Sequence, residues 1–372
     1  MQNGFMKIRP SVHMYTSMTK RDPRIKDKNI NRREFLKDTF KEALAGFFLF
    51  SLFPRHISYF ETDLTTQLLG RVFKDNTIIY TKPSFSSSTK YILKTNQVLS
   101  LSGEVIGDAI NAHSKLWYEV ENFGYIPANS VQPVHQRLNQ PKNNINNKGE
   151  LGTISVPYTK AWQQKNNTIK EDYLLFYYGS THWVTGLYTD AKGDIYYKIR
   201  EDRWGNSYYV QAEHVEIISK TELAPFATQV PAEEKALEVN IADQSVIAYE
   251  YGKAVFFSQA STGLFGNRLD FSTPTGDYQI NYKRPSRHMV HTDKVGNNDS
   301  DLYGVPWVSY FTDSGIAFHG TYWHNDFGTP HSHGCINLPI QAAKWIYLWS
   351  QPTVPAGEEK FVSRSGTQVK VI

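Results

Sequence analysis

Cysteine is almost absent from this chain. Cys335 stands alone among 372 residues, so no internal disulfide can form and no second Cys completes a familiar zinc-ligand spacing. An excess of one charge sign is also missing. Forty Lys and Arg against 36 Asp and Glu leave a net charge of +4, and much of that excess lies before residue 42, so no basic face argues for nucleic acid. The apolar run Ala43–Phe53 holds only eleven residues, too few to cross a bilayer as a helix, which needs about 20. Cysteine scarcity by itself suits an exported protein and a reducing cytosol equally well.

Aromatic residues, by contrast, are abundant at 14%, with 23 Tyr and 21 Phe in short alternating runs. Such side chains fit a half-buried pleated face, and the expectation is a mostly β protein with one or two helices. Short strand-like segments recur between residues 70 and 135: Ile78–Tyr80, Lys90–Leu93, Gln97–Leu99, Trp117–Val120 and Gly124–Ile126. A polar linker over 136–150 lacks periodicity and carries little apolar surface. A second β-rich block over 151–220 ends as the first does. Tyr118-Glu119-Val120 and Tyr125–Val131 are echoed by Tyr197-Lys198-Ile199 and Tyr209–Val215, with a short Ala-containing turn in each. The pair resembles bacterial SH3-like wall-associated domains, which implies two small barrels; unrelated β-modules sharing alternation are the alternative. Trp162, Trp183 and Trp204 read as barrel core or rim residues ahead of a sugar-stacking platform.

Residues 1–60 are basic at their start and contain Arg32-Arg33-Glu34-Phe35-Leu36-Lys37 ahead of the apolar run. This resembles a twin-arginine export signal, implying delivery to the cell envelope, with the uncleaved segment as a membrane anchor because no A-x-A cleavage site is visible. A capped amphipathic helix, with Asn31 as N-cap and Glu34 closing a capping box, is the structural alternative.

The chemistry is concentrated in residues 232–372. His319-Gly320 is followed, twelve positions after the Gly, by Ser332-His333-Gly334-Cys335-Ile336-Asn337. A lone Cys flanked by His, Gly and Asn, with a second His sixteen positions upstream, reads as a thiol nucleophile with its base. A free thiol with a pKa of about 8.5 is mostly protonated at neutral pH, so an imidazole must take its proton. Leu237–Ile241 and Ser245–Glu250 read as a hairpin, Lys253–Ala260, Thr273–Ile280, Trp307–Phe311 and Gly315–Phe318 as strands, and Pro339–Trp349 as a helix.

From about Ala232 to the C-terminus the chain resembles the YkuD-type L,D-transpeptidases, on the His319 and Ser332–Asn337 signature. The resemblance implies Cys335 as nucleophile and His319 as proton acceptor and donor. It also implies that the Gly320 carbonyl fixes the ring's tautomer, that His333 and Gly334 shape the turn, and that the Gly334 and Cys335 amides form an oxyanion hole. Tyr322 and Trp323 would line the substrate entrance, together with Asn337, whose other expected part is to hold the loop. No cofactor and no metal are implied. The implied partners are peptidoglycan stem peptides, cross-linked through a cysteinyl thioester; hydrolysis by the same site, as a carboxypeptidase, is the variant. Arg284, Arg287, His288 and His291 fall in a segment that often forms a lid in that family, with carboxylate binding by an arginine weighed against a solvated basic loop. His324 and His331 read as exposed loop histidines.

Three rivals compete with this reading. His319, His324, His331, His333 and Cys335 resemble a zinc-ligand array, although a zinc-bound thiolate attacks poorly. An NlpC-type wall peptidase would place Cys before His, the reverse of the order here. A wall-binding protein with a degenerate catalytic domain would not need Cys335 and His319 intact.

Overall fold

The computed structural model describes residues 67–165, 168–265, 271–292 and 298–372, and the basic N-terminal segment with its Arg32-Arg33 motif lies outside them. The chain is mostly β. Its first sheet is built from β1 (Leu68–Val72), β2 (Thr77–Tyr80), β3 (Thr89–Leu93), β4 (Val98–Ile106), β5 (Leu116–Val120), β6 (Gly124–Pro127) and β7 (Val131–His135). Its second contains β8 (Glu150–Ile154), β9 (Tyr158–Lys165), β10 (Thr168–Tyr177), β11 (Thr181–Thr189), β12 (Ile195–Arg200), β13 (Ser207–Gln211) and β14 (Val215–Ile217). The strand orders are β3-β2-β6-β5-β4-β1-β7 and β10-β9-β13-β12-β11-β8-β14, the same topology twice. In each copy an Ala-led 3-10 turn, Ala128–Ser130 or Ala212–His214, precedes the last strand. Val72, Ile79, Leu93, Leu101, Tyr118 and Ile126 come from six different strands yet share one core, so the first sheet must curl upon itself. A comparable core unites Ile154, Ala161, Phe176, Val184, Ile199 and Val210.

The connection between the two sheets contains neither helix nor strand, but it is tied down. The Asn139 side chain donates to Ser155 Oγ at 2.7 Å, the Lys142 amide donates to the Tyr197 hydroxyl at 2.7 Å, and Ile145 packs on the second core. Its apolar content is too low for a core of its own, and it borrows its neighbour's.

Two five-stranded sheets follow. One has the order β17-β16-β15-β24-β18, from β15 (Lys235–Asn240), β16 (Ser245–Glu250), β17 (Lys253–Gln259), β18 (Gly276–Gln279) and β24 (Gln368–Val371). The other runs β22-β21-β20-β19-β23, from β19 (Tyr282–Thr292), β20 (Asn298–Tyr310), β21 (Ala317–Gly320), β22 (Ile336–Leu338) and β23 (Phe361–Val362). The helix α1 (Ile340–Trp349) buries Ala343, Ile346 and Trp349 in one core with Leu237 and Val239 of the first sheet and Phe318 and Ile336 of the second. No side chain caps its start, whereas two buried lysines hold its end. Lys235 Nζ donates to Trp349 O at 2.8 Å, and Lys283 Nζ donates to Ser350 O at 2.9 Å and to Tyr347 O. Cations suit the carbonyl-rich C-terminus of a helix, which carries partial negative charge. Trp183, placed by its sequence in a barrel core or rim, is instead buried in this catalytic-side core, because β11 turns it outward from its own sheet. Trp204 is more than half exposed.

The long β19–β20 hairpin corrects the expectation of a basic lid. Arg284 and Arg287 both reach Asp202 Oδ2, at 2.9 and 2.8 Å, and the His288 amide donates to Asp202 Oδ1 at 2.7 Å. The His288 ring lies buried between Glu201 and Asp301 and stacks on Tyr303 at 3.9 Å. Charges that read as solvated are thus satisfied by carboxylates of the second module. Among the described residues no helix is long and apolar enough to cross a membrane.

Candidate active site

The expected base, His319, and the turn that carries the expected nucleophile, Cys335, are brought together by β21 and β22, which pair in parallel with Phe318 opposite Ile336, His319 opposite Asn337 and Gly320 opposite Leu338. Side chains paired across a sheet share a face, as do residues two apart along a strand. His319 and Asn337 therefore share a face, and Cys335 stands in the turn directly before β22, two residues from Asn337.

The turn that delivers Cys335 is fastened from two sides. Ser261 exchanges both backbone hydrogen bonds with Asn337 at 2.9 Å, and the His331 and Ser332 amides both donate to Thr262 O at 3.0 Å. Gln244 holds Thr262 in turn, through its backbone amide at 2.8 Å and its hydroxyl at 2.7 Å. Gly334 has φ +115°, a conformation that costs a residue with a Cβ dearly, and its carbonyl accepts from Thr273 Oγ1 at 2.8 Å. Ser332 Oγ donates to Cys335 O at 2.5 Å and accepts the Gly334 amide at 3.1 Å. This overturns one expectation. The Gly334 N–H is engaged inside the turn, so it does not point at a developing oxyanion, and the Cys335 amide is the donor that remains. His333 is exposed, its ring against Phe271 at 4.4 Å, outside the Cys335 pocket.

His319 is buried, 3% exposed, and its Nδ1 donates to Gly320 O at 3.2 Å. The proton is therefore on Nδ1 and the Nε2 lone pair is left to act as the base. The thiol of Cys335 donates to Gly315 O at 3.9 Å, faces the Ala317 amide and packs beside Val305, Val308, Tyr310 and Trp323. Burial pushes the thiol up to about 11 despite the Ala317 amide. Burial also lowers His319 to about 4, although the Gly320 carbonyl opposes this. Both shifts favour neutral forms, so the resting pair is thiol and imidazole rather than thiolate and imidazolium. The bonds these two side chains make are to the Gly320 and Gly315 carbonyls, not to each other.

Of the expected entrance residues, only Trp323 is partly open; it packs against the His319 ring at 5.6 Å. Burial takes Tyr322 and Asn337 away from the entrance, and leaves Asn337 the loop-holding part also expected of it. Tyr322 is 3% exposed with its hydroxyl donating to Tyr303 O at 2.8 Å. Asn337 is 2% exposed and its side-chain amide meets His324 Nε2 at 2.8 Å. Because His324 Nδ1 accepts the Asp326 amide at 3.3 Å, Nε2 carries the ring proton, and the Asn337 oxygen is the atom that faces it. His324 is accordingly a half-buried strut instead of an exposed loop residue, and burial lowers it to about 3. His331 is exposed and contacts Asp326 Oδ2 at 3.0 Å. No three His, Cys, Asp or Glu side chains among the described residues are grouped to share a metal ion.

The sequence did not show how Thr273, Ser332, Gln244 and Asp326 fasten the turn and the loop before it. The Thr273-Pro274-Thr275-Gly276 segment was visible as a signal, but its hydroxyl bond to Gly334 depends on a contact 61 positions away.

Residues 234–371 match the YkuD family, described as the L,D-transpeptidase catalytic domain. YciB of Bacillus subtilis (strain 168), a protein whose name places it among the L,D-transpeptidases, is 29% identical over 121 residues, covering 30% of this chain and 58% of that one. Among solved structures, an L,D-transpeptidase from Mycobacterium smegmatis is 20% identical, with a TM-score of 0.31 over 50% of this chain and 79% of that chain. The Enterococcus faecium enzyme is likewise 20% identical, with a TM-score of 0.29 over 37% of this chain and 50% of that one. The Cys335 turn and the His319 strand thus lie inside the stretch that matches the L,D-transpeptidase catalytic domain of the YkuD family.

Proposed function

We propose that the protein cross-links peptidoglycan stem peptides through a thioester on Cys335. The observation that carries this is the parallel pairing of β21 and β22, which sets a tautomer-fixed His319 beside the strand that the only thiol in the chain leads into. His319 Nε2 takes the thiol proton as sulfur attacks the carbonyl of the stem's L,D-peptide bond. The Cys335 amide stabilises the oxyanion. When the C–N bond breaks, His319 returns the proton to the departing D-amino acid. The side-chain amine of a neighbouring stem then attacks the thioester, passes a proton to His319, and sulfur leaves and is reprotonated. The apolar surround of Val305, Val308 and Trp323 limits water at the thioester, favouring amine over hydrolysis.

The two β-modules are SH3-like wall-placement units in this reading, supported by their duplicated strand order. The Arg32-Arg33 segment directs export and leaves the enzyme at the outer face of the membrane. Incubation with a tetrapeptide donor, read by mass spectrometry, decides the reaction. Cross-linked dimer indicates transfer, tripeptide alone indicates a carboxypeptidase, and unchanged donor with unmodified Cys335 refutes both.

A further inference from the structure

The loop between His319 and Cys335 is held largely by the first β-module. Arg71, on β1, is 3% exposed and pairs with no carboxylate among the described residues. Its Nη2 donates to Tyr322 O at 2.7 Å, Nη1 to Asn96 Oδ1 at 3.0 Å and Nε to Gln132 Oε1 at 3.0 Å, while the guanidinium lies 4.3 Å over the Tyr177 ring of the second module. Burial lowers it to about 10, so it remains charged at neutral pH. A buried cation with neutral partners alone costs several kcal/mol of desolvation, on the order set by any buried ion. A residue that served only to fill space there would be apolar.

Two chains of contact run from this module to the two reacting groups. One passes from Arg71 to the Tyr322 carbonyl, then to Trp323 at 5.1 Å from the Tyr322 ring, and on to His319. The other starts at Asn111 and Asn129, whose side-chain amides donate to Asp326 Oδ1 at 2.9 and 3.3 Å. Asp326 Oδ2 holds His331, which stacks on His324 at 4.5 Å, and His324 holds Asn337 two residues after Cys335. Asn325 adds a bond to Ala128 O at 3.1 Å.

We propose that the first β-module is part of the active-site assembly: Arg71 positions the base through Tyr322 and Trp323, and Asn111 with Asn129 positions the nucleophile strand through Asp326. Arg71, Asn111 and Asn129 are positioning residues; none touches the reacting atoms. The inference deepens the acyl-transfer reading given above and rests on it for the peptide arm of its test only.

The test uses the full chain and two readouts, thioester formation with the tetrapeptide and iodoacetamide alkylation of Cys335 across pH. Arg71→Met should lower kcat for acylation roughly 10- to 100-fold, the scale of an ångström-sized misplacement, while KM changes little. Its alkylation midpoint should fall as the pocket opens. Arg71→Lys, which keeps one donor for Tyr322 O, should recover most of the rate. Folded Arg71→Met with wild-type kcat and alkylation profile overturns the proposal. If Arg71→Met does not fold, the Asn111→Ala/Asn129→Ala double variant decides by the same criteria. A wild-type chain that never forms the thioester defeats the acyl-transfer reading, and the alkylation profiles still settle the positioning.

Discussion

At the scale of single residues, burial sets the chemistry. Cys335→Ala should abolish thioester formation and leave the melting temperature near wild type, checked by intact mass and calorimetry. His319→Gln keeps a neutral side chain but removes the base, and acylation should fall by about 10²–10⁴-fold. Because burial lowers His319 to about 4, the acid limb of the acylation rate should lie near that value and well below the 6.5 of a free imidazole. A rate profile that falls off near pH 6.5 would contradict the buried ring. Cys335 and His319 as candidate nucleophile and base were legible from residue types and spacing. The engagement of the Gly334 amide by Ser332 Oγ was not, a local bond that spacing does not reveal.

Among elements, β21 has little room to move. A Cβ on Gly320 would stand 2.8 Å from Pro306 Cγ and 3.2 Å from Ile340 Cα, the latter being backbone. Gly320→Ala should cost about 1–3 kcal/mol through overpacking, and it should slow acylation as the strand carrying His319 shifts; denaturant melts and acylation rates read both. The β19–β20 hairpin depends on the second module. Asp202→Ala leaves Arg284 buried without its partner and should cost about 3–5 kcal/mol, measured by chemical unfolding. Strands such as Thr77–Tyr80 and Leu116–Val120 were readable because alternation is a local property. The hairpin was not, because Arg284, Arg287 and His288 look solvated until Glu201 and Asp202 arrive from a different module.

The whole molecule stores an acid sensitivity in its histidines. Burial lowers His182 and His324 to about 3 and His319 to about 4, against 6.5 for the ordinary group. The unfolded chain therefore binds protons first as pH falls. Stability from these rings is complete above about 6.5 and is lost progressively between 6.5 and 3. Thermal melts between pH 7 and 4 should show a steady decline, and a flat profile would mean that the rings are solvated. The two similar β-rich blocks were apparent from composition and the repeated Tyr-rich endings, which close sheets of the same strand order. The fastening of the first block to the loop before Cys335 through Arg71 and Asp326 was not, for the partners stand 251 and 215 positions apart.

The two lysines that grip the end of α1 have one more consequence. Lys235 and Lys283 are each 1% exposed, and their ammonium groups donate to helix carbonyls, so an amine-reactive label should spare them while the helix is seated. Their labelling rate would then time the undocking of α1, a clock built on side chains the protein already carries.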